Sequence, residues 1–361
     1  MSVWCASEAS AQNIVKRVID YFGQSNQRKE GRGLDFSLIG GPYYNSDMGA
    51  GIGLVASGLY GSTGVDTIQP PSNVSFFGKV STKGFAELGL EGTHVGHADC
   101  LRITYKAEFF TDPSDYWGIG YRMGNNDANK SSMKRIGFRT SADFLWRVYP
   151  GLYAGPGFAV NYLHPYDIED HSLLDGQHPT IWSQGVGVSV VYDTRDVLTN
   201  PHRGIYARVS QCVRPRFLGN EYRFWTTELK FNTYHSVWSG GIIATDVRGD
   251  FNYGNPSWNM MAEIGGTSFM RGYYQGRYRD KCMMAGQVEL RQHVYRRSGV
   301  AVWGGVATVF RRFSDVQFRH LLPNYGLGYR WEFKKDVNVR VDVGFGKKGQ
   351  YGVMFSVNEA F

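Results

Sequence analysis

The chain has 361 residues, a formal net charge of +7, 15% aromatic residues and 46 Gly. Its mean hydropathy is −0.34, and no apolar run approaches the ~20 residues a bilayer-spanning helix needs, so a helical membrane protein is excluded. The basic residues are spread through the whole chain without a basic helix or stripe, which leaves no footprint for nucleic acid.

The chain opens on a short leader remnant, residues 1–11, ending in the small-residue cleavage pattern Ala9-Ser10-Ala11. Residues 12–33 follow as a helix and linker. Ile14, Val15, Val18, Ile19 and Phe22 share one helical face over Gln12–Gln24, suited to lying on the inner membrane surface or docking beneath what comes next. From Leu34 to Phe361 the texture is uniform. Polar-aromatic segments of about 10 residues are broken by Gly, Asn, Asp and Pro, with no linker between domains. Strands are expected at 34–44, 49–61, 73–82, 85–97, 100–112, 132–149, 151–166, 180–195, 203–217, 222–238, 241–254, 282–296, 299–310, 324–334, 337–346 and 350–361.

Their internal period is two. In Gln287-Val288-Glu289-Leu290-Arg291-Gln292-His293-Val294, the charged and polar Gln287, Glu289, Arg291 and His293 face one side; Val288, Leu290 and Val294 face the other. Charges in mid-strand need a wet face, and apolar alternates need a dry one. A closed sheet with a polar lumen and a lipid-facing exterior supplies both. The joints also alternate. Pro150-Gly151, Ser239-Gly240 and Lys335-Asp336 are tight, while 113–131, 167–179, 255–281 and 311–323 are long. The expected architecture is all-β: a transmembrane antiparallel barrel of about 16 strands with short periplasmic turns and long external loops. Its place is the bacterial outer membrane, its surroundings lipid and lipopolysaccharide, whose negative charge suits basic loops.

Other patterns carry no chemistry. Cys5 leaves with the leader, and Cys100, Cys212 and Cys282 show neither a disulfide frame nor a metal spacing. Gly49-Ala50-Gly51-Ile52-Gly53 mimics a dinucleotide fingerprint without the helix one requires, and His94 and His97 near Asp99 read as turn residues. No cofactor, metal or enzymatic activity is expected.

Three segments point to a family. Phe269-Met270-Arg271-Gly272-Tyr273 sits in the long loop after the eleventh strand. Tyr192-Asp193-Thr194-Arg195-Asp196 is followed by Asn200-Pro201-His202-Arg203-Gly204. The chain ends Asn358-Glu359-Ala360-Phe361. Together with the Gln287–Arg291 strand, these resemble the (V/L)RG(F/Y) loop tip, the DTRD…NPxxG strand-turn and the terminal aromatic of the BamA/TamA barrel superfamily, the bacterial surface antigen family. The resemblance spans about residues 34–361 and marks Arg271, Gly272 and Tyr273, then Asp193, Arg195, Asp196, Pro201 and Gly204, with Phe361 as C-terminal signal on the final strand.

It implies a loop folded into the barrel, with its Arg paired to wall carboxylates. Glu289 is the first candidate, then Glu332 and Asp342. The family's Asp in the next strand is missing from Val302-Trp303-Gly304-Gly305. It also implies a weak joint between first and last strands. Gly40-Gly41-Pro42 and Gly352 suit such a seam, because Pro gives a ladder no donor and Gly packs poorly in strands. The implied function is outer-membrane biogenesis, by insertion or translocation of protein or lipid. The family's periplasmic POTRA domains have no counterpart between residue 12 and Leu34, so substrate capture would fall to periplasmic or outer-membrane assembly partners. A passive channel and a scaffold subunit of a larger complex are the alternatives. Oligomeric state is left open.

Overall fold

A sheet whose strands alternate wet and apolar side chains can satisfy both faces by closing on itself, and this chain does so. The computed structural model describes residues 35–45, 47–60, 72–198, 200–334 and 337–361. The leader, the helix and linker over 12–33 and the Lys335-Asp336 turn lie outside them. The wall runs β1 (Asp35–Asn45), β2 (Gly49–Tyr60), β3 (Ser72–Ser81), β4 (Ala86–Val95), β5 (Leu101–Tyr116), β6 (Ser131–Tyr149), β7 (Leu152–Tyr166), β8 (Ile181–Asp193), β9 (Gly204–Arg214), β10 (Phe224–Trp238) and β11 (Gly241–Gly254). After a two-residue ladder of β12 (Ala262–Glu263) and β13 (Arg279–Asp280), it resumes with β14 (Cys282–Tyr295), β15 (Ser298–Phe310), β16 (Leu322–Lys334), β17 (Val337–Phe345) and β18 (Tyr351–Val357). Every wall strand is antiparallel to its neighbours in chain order, β11 pairs with β14, and β18 returns to β1.

Parity sorts the two faces. On β14 the residues Gln287, Glu289 and Arg291 are buried inside, whereas Val288 is 50% exposed outside. The same alternation sets Val302 outward from Trp303, and Val341 outward from Arg340 and Asp342. Aromatics band the outer wall at both ends. Trp182, Trp225 and Tyr253 stand near the long loops; Trp146, Tyr149, Trp238 and Tyr295 stand near the tight turns. Two such belts with an aliphatic band between them match the interfaces and core of a bilayer.

Strand lengths are unequal. β6 has 19 residues and β18 has 7. β5 continues four residues past its expected end because its extension is roofed. Phe110, Tyr116, Met133, Leu163, Leu174, Ile181 and Trp258 form a small core at the loop end, so the wall rises there beyond the aromatic belt. The Gly49–Gly53 run is ordinary strand, paired to β1. His97 and Asp99 lie in a turn, where Asp99 binds Arg102 and Tyr153.

The outward assignment is testable. Val302→Arg at mid-wall should lower stability by about 2–4 kcal/mol in urea titrations in lipid vesicles. Lys106→Gln, on the inner face, should leave it nearly unchanged. Equal effects from the two would refute the assigned parity.

Candidate functional site

Loop 255–281 is long enough to leave the wall, and its apolar residues decide where it goes. The β12–β13 ladder closes its neck. Beyond the neck, Ile264, Phe269, Met270, Tyr273 and Tyr278 are buried against inward residues of the wall, Met283, Ala285, Ala307, Val309 and Leu322. The tip therefore plunges into the lumen. Gly272 has φ +109°, a conformation that disfavours any side chain, and a Cβ there would lie 2.7 Å from the Gly344 backbone of β17. Gly344 in turn leaves room for the Arg271 carbonyl. The Tyr273 hydroxyl donates to Pro323 O at 2.6 Å and accepts from the Lys347 N–H at 2.9 Å, pinning the tip to the far wall.

Arg271 is 0% exposed. A guanidinium so placed must be paired, because burying a bare charge costs several kcal/mol. Its Nη2 donates to Glu289 Oε2 at 2.5 Å and its Nη1 to Asp342 Oδ2 at 2.8 Å. The two carboxylates come from β14 and β17, so the planar fork bridges the wall across two intervening strands. The face of the guanidinium lies 3.6 Å from the Trp303 ring centroid. Trp303 is directly opposite Glu289 in the β14–β15 register. On the strand where the resemblance implied an acid, this chain turns an aromatic face to Arg271, which holds the cation by its ring quadrupole. Gly326 is required beneath it, since a Cβ there would strike the indole.

Glu332, an expected partner, is not brought to Arg271. It lies farther along β16, opposite Asn338, near the tight-turn end, while the ion pairs of Arg271 go to Glu289 and Asp342. Sequence parity put Glu332 on the inner face but could not fix its height.

The clasp is part of a larger network that the sequence did not reveal. Arg291 Nε donates to Glu289 at 2.8 Å, Arg330 Nη1 to Asp342 at 2.6 Å, and Arg340 also pairs with Asp342. The third acid is Glu359, which accepts from Arg330 Nε at 2.9 Å and from Asn338 at 2.7 Å. Four guanidinium groups thus share three carboxylates. Some of the surplus donors find main-chain oxygens: Arg291 on Phe361 O, Arg340 on Asn358 O and Thr267 O.

This corrects the reading of the last strand. β18 stops at Val357, and Asn358, at φ +66°, turns the chain inward. Phe361 does not stand on the strand face. It is buried in the lumen against Tyr234 and Ala244, with Arg291 over its ring. Glu359 points to the guanidinium groups of Arg330 and Arg291.

That turn leaves the seam thin. β17 and β18 pair from Val339↔Val357 to Phe345↔Tyr351, but among the described residues β1 and β18 register at one position, Asn45↔Met354. Continuing that register would set Pro42 opposite Val357. Pro42 has no N–H to donate, and at the next step β18 has already left. Gly40 and Gly41 pair with β2 on their other side, and Gly352 pairs with Gly344.

The strand-turn motif forms a separate structure at the tight-turn end. Arg195 grips Asp193 through two bonds of 2.9 and 3.0 Å and lies over Tyr206. Asp196 accepts the N–H groups of Val197, His202 and Arg203. Partial burial raises its carboxyl pKa, but these donors outweigh that and hold it below the usual range. Pro201 is buried, and Gly204, at φ +112°, starts β9 against Thr194. The motif shapes a turn and does not touch the clasp.

Arg271→Ala should cost about 3–5 kcal/mol, since it takes one buried charge partner from each of Glu289 and Asp342 and leaves the space over Trp303 empty. The readout is the temperature at which the compact, fast-migrating band is lost on gels. Trp303→Leu, which keeps the ion pairs but removes the ring, should cost about 1–2 kcal/mol. A melting temperature unchanged in Arg271→Ala would refute a stabilising clasp.

Comparison with known proteins agrees with this geometry. The chain is similar to BamA from Haemophilus ducreyi lacking POTRA domains 1–3, with 12% identity, TM-score 0.57, and coverage of 97% of this chain and 77% of that one. It is also similar to CdiB from Acinetobacter baumannii, at 12% identity and TM-score 0.56, covering 90% of this chain and 59% of that one. CdiB from Escherichia coli gives 12% and 0.55, covering 96% and 70%. At these identities the likeness is one of fold. No curated protein matches in sequence. Residues 97–316, more than half of the chain, match the Omp85 superfamily domain, and the chain is therefore an outer-membrane β-barrel belonging to the Omp85 superfamily.

Proposed function

We propose that this barrel serves outer-membrane biogenesis, passing protein or lipid into or across the membrane by parting its first and last strands. The observation that carries this reading is the contrast between a lumen clasped by a buried loop and a seam that, among the described residues, is registered at Asn45↔Met354 alone. Backbone pairing holds every other joint of the wall over many residues, so the seam is the joint that opens at least cost. β1 then offers an unpaired edge to an incoming strand. Capture of the substrate would fall to periplasmic or outer-membrane assembly partners.

A passive channel is the second reading, and one feature favours it. Lys106 and Arg139 are each 48% exposed and Glu228 is 53% exposed on the inner face of β5, β6 and β10. That half of the lumen is wet and charged.

A disulfide across the seam separates the two. With native cysteines replaced, Asn45→Cys/Met354→Cys should crosslink on oxidation and abolish rescue of a depleted strain, scored by its outer-membrane protein and lipid profile. Reduction should restore it. Full rescue in the locked state would exclude an opening seam. A large, steady conductance in planar bilayers, the same whether locked or reduced, would establish the channel.

A further inference from the structure

The loop between β15 and β16, residues 311–321, folds over the outside of the wall. Phe251, Cys282 and Phe310 form a buried stripe on the outward faces of β11, β14 and β15 at the loop end. Phe313 lies back over this stripe, its ring 5.7 Å from Phe251 and 5.1 Å from Phe310, yet it remains 62% exposed. The stripe continues the aromatic belt through the Tyr253–Trp225 stack. An aromatic patch on the lipid-facing rim sits at the level of headgroups and upper acyl chains.

Three cations gather at the same rim. Arg311 and Arg312 are exposed and form no ion pair with any described residue. Lys281, at the start of β14, donates to Gly254 O at 2.6 Å. Burial first, and then the charge of Arg311, holds its ammonium below the usual lysine range. Two acids are nearby. Asp280 is buried, which raises its carboxyl, and Asp315 caps the Arg312 N–H at 3.0 Å. The exposed face of the rim is therefore cationic above and aromatic below.

We propose that Lys281, Arg311 and Arg312, standing over the Phe251–Phe310–Phe313 patch, form a binding site for the phosphorylated headgroup of a lipid in the leaflet at the loop end. Guanidinium forks suit phosphate oxygens, and the ring of Phe313 accepts the adjoining acyl chain. Free phosphate would gain nothing from the aromatic patch, and a protein partner would not need it at bilayer level. The site does not depend on whether the seam opens.

The test uses the full chain in detergent, titrated with diphosphorylated lipid A and, in parallel, with the same lipid after enzymatic dephosphorylation. Native mass spectrometry reads the fraction of barrel carrying one lipid. Arg311→Ala/Arg312→Ala should weaken binding of the phosphorylated lipid roughly tenfold or more. Phe313→Ser should weaken both lipids. Arg216→Ala/Lys348→Ala, which removes as much charge from other loops, should change neither. Because 311 and 312 are exposed loop positions, the gel shift of the folded band verifies folding, and Lys281→Gln provides an independent variant. The proposal fails if Arg311→Ala/Arg312→Ala and Lys281→Gln bind like the parent. It also fails if the control pair loses as much, if both lipids bind equally, or if inorganic phosphate at equal concentration displaces the lipid.

Discussion

A guanidinium with no access to bulk water sits inside this barrel, and the arrangement around it follows from keeping that charge satisfied. Arg271 is carried in by the apolar tip of loop 255–281 and held by Glu289, Asp342 and the face of Trp303. Gly272, Gly344 and Gly326 are needed because backbone and ring must approach closely there. The wall residues are as constrained as the loop, since each carboxylate is itself buried and tolerable only among cations. The clasp therefore fixes the inner faces of β14 to β17 together with the loop.

The same electrostatic demand reaches the end of the chain. Four guanidinium groups against three carboxylates leave donors in excess, and main-chain oxygens of Asn358 and Phe361 take two of them. Glu359 is the third carboxylate. The residues after Val357 thus exchange ladder bonds with β1 for charge-assisted bonds in the lumen, which are the stronger kind. The Pro42 position makes the exchange easier, because a ladder there would lack a donor in any case. Interior electrostatics and the weak seam are two aspects of one arrangement.

The wall could be read from the sequence because parity is local. Gln287 to Val294 alternates without a break, and the strands fell within a few residues of their expected bounds. The Arg271 clasp was legible for a different reason: the resemblance of the loop tip implied it, and a buried guanidinium needs an acid on the wall. Trp303 was not legible, since a Trp on a barrel strand reads equally well as a lipid-facing belt residue. Only its register opposite Glu289 sets it inside. Glu332 and Asp342 share a parity, and what separates them is height, which depends on strand tilt and stagger. Phe361 was misplaced because alternation was carried past Asn358, where a left-handed residue ends it. The ladder β12–β13 is too short to leave a periodic trace.

The uneven wall has a mechanical outcome for the surrounding lipid. Seven residues of β18, at about 3.4 Å each and tilted ~40°, climb only about 18 Å, short of the ~25 Å apolar band typical of such barrels. The 19 residues of β6 exceed it with ease. Acyl chains beside β18 must shorten or the whole cylinder must lean, at a cost of fractions of a kcal/mol per Å of mismatch. The bilayer is therefore most compressed along the one line where the protein's own backbone offers least resistance.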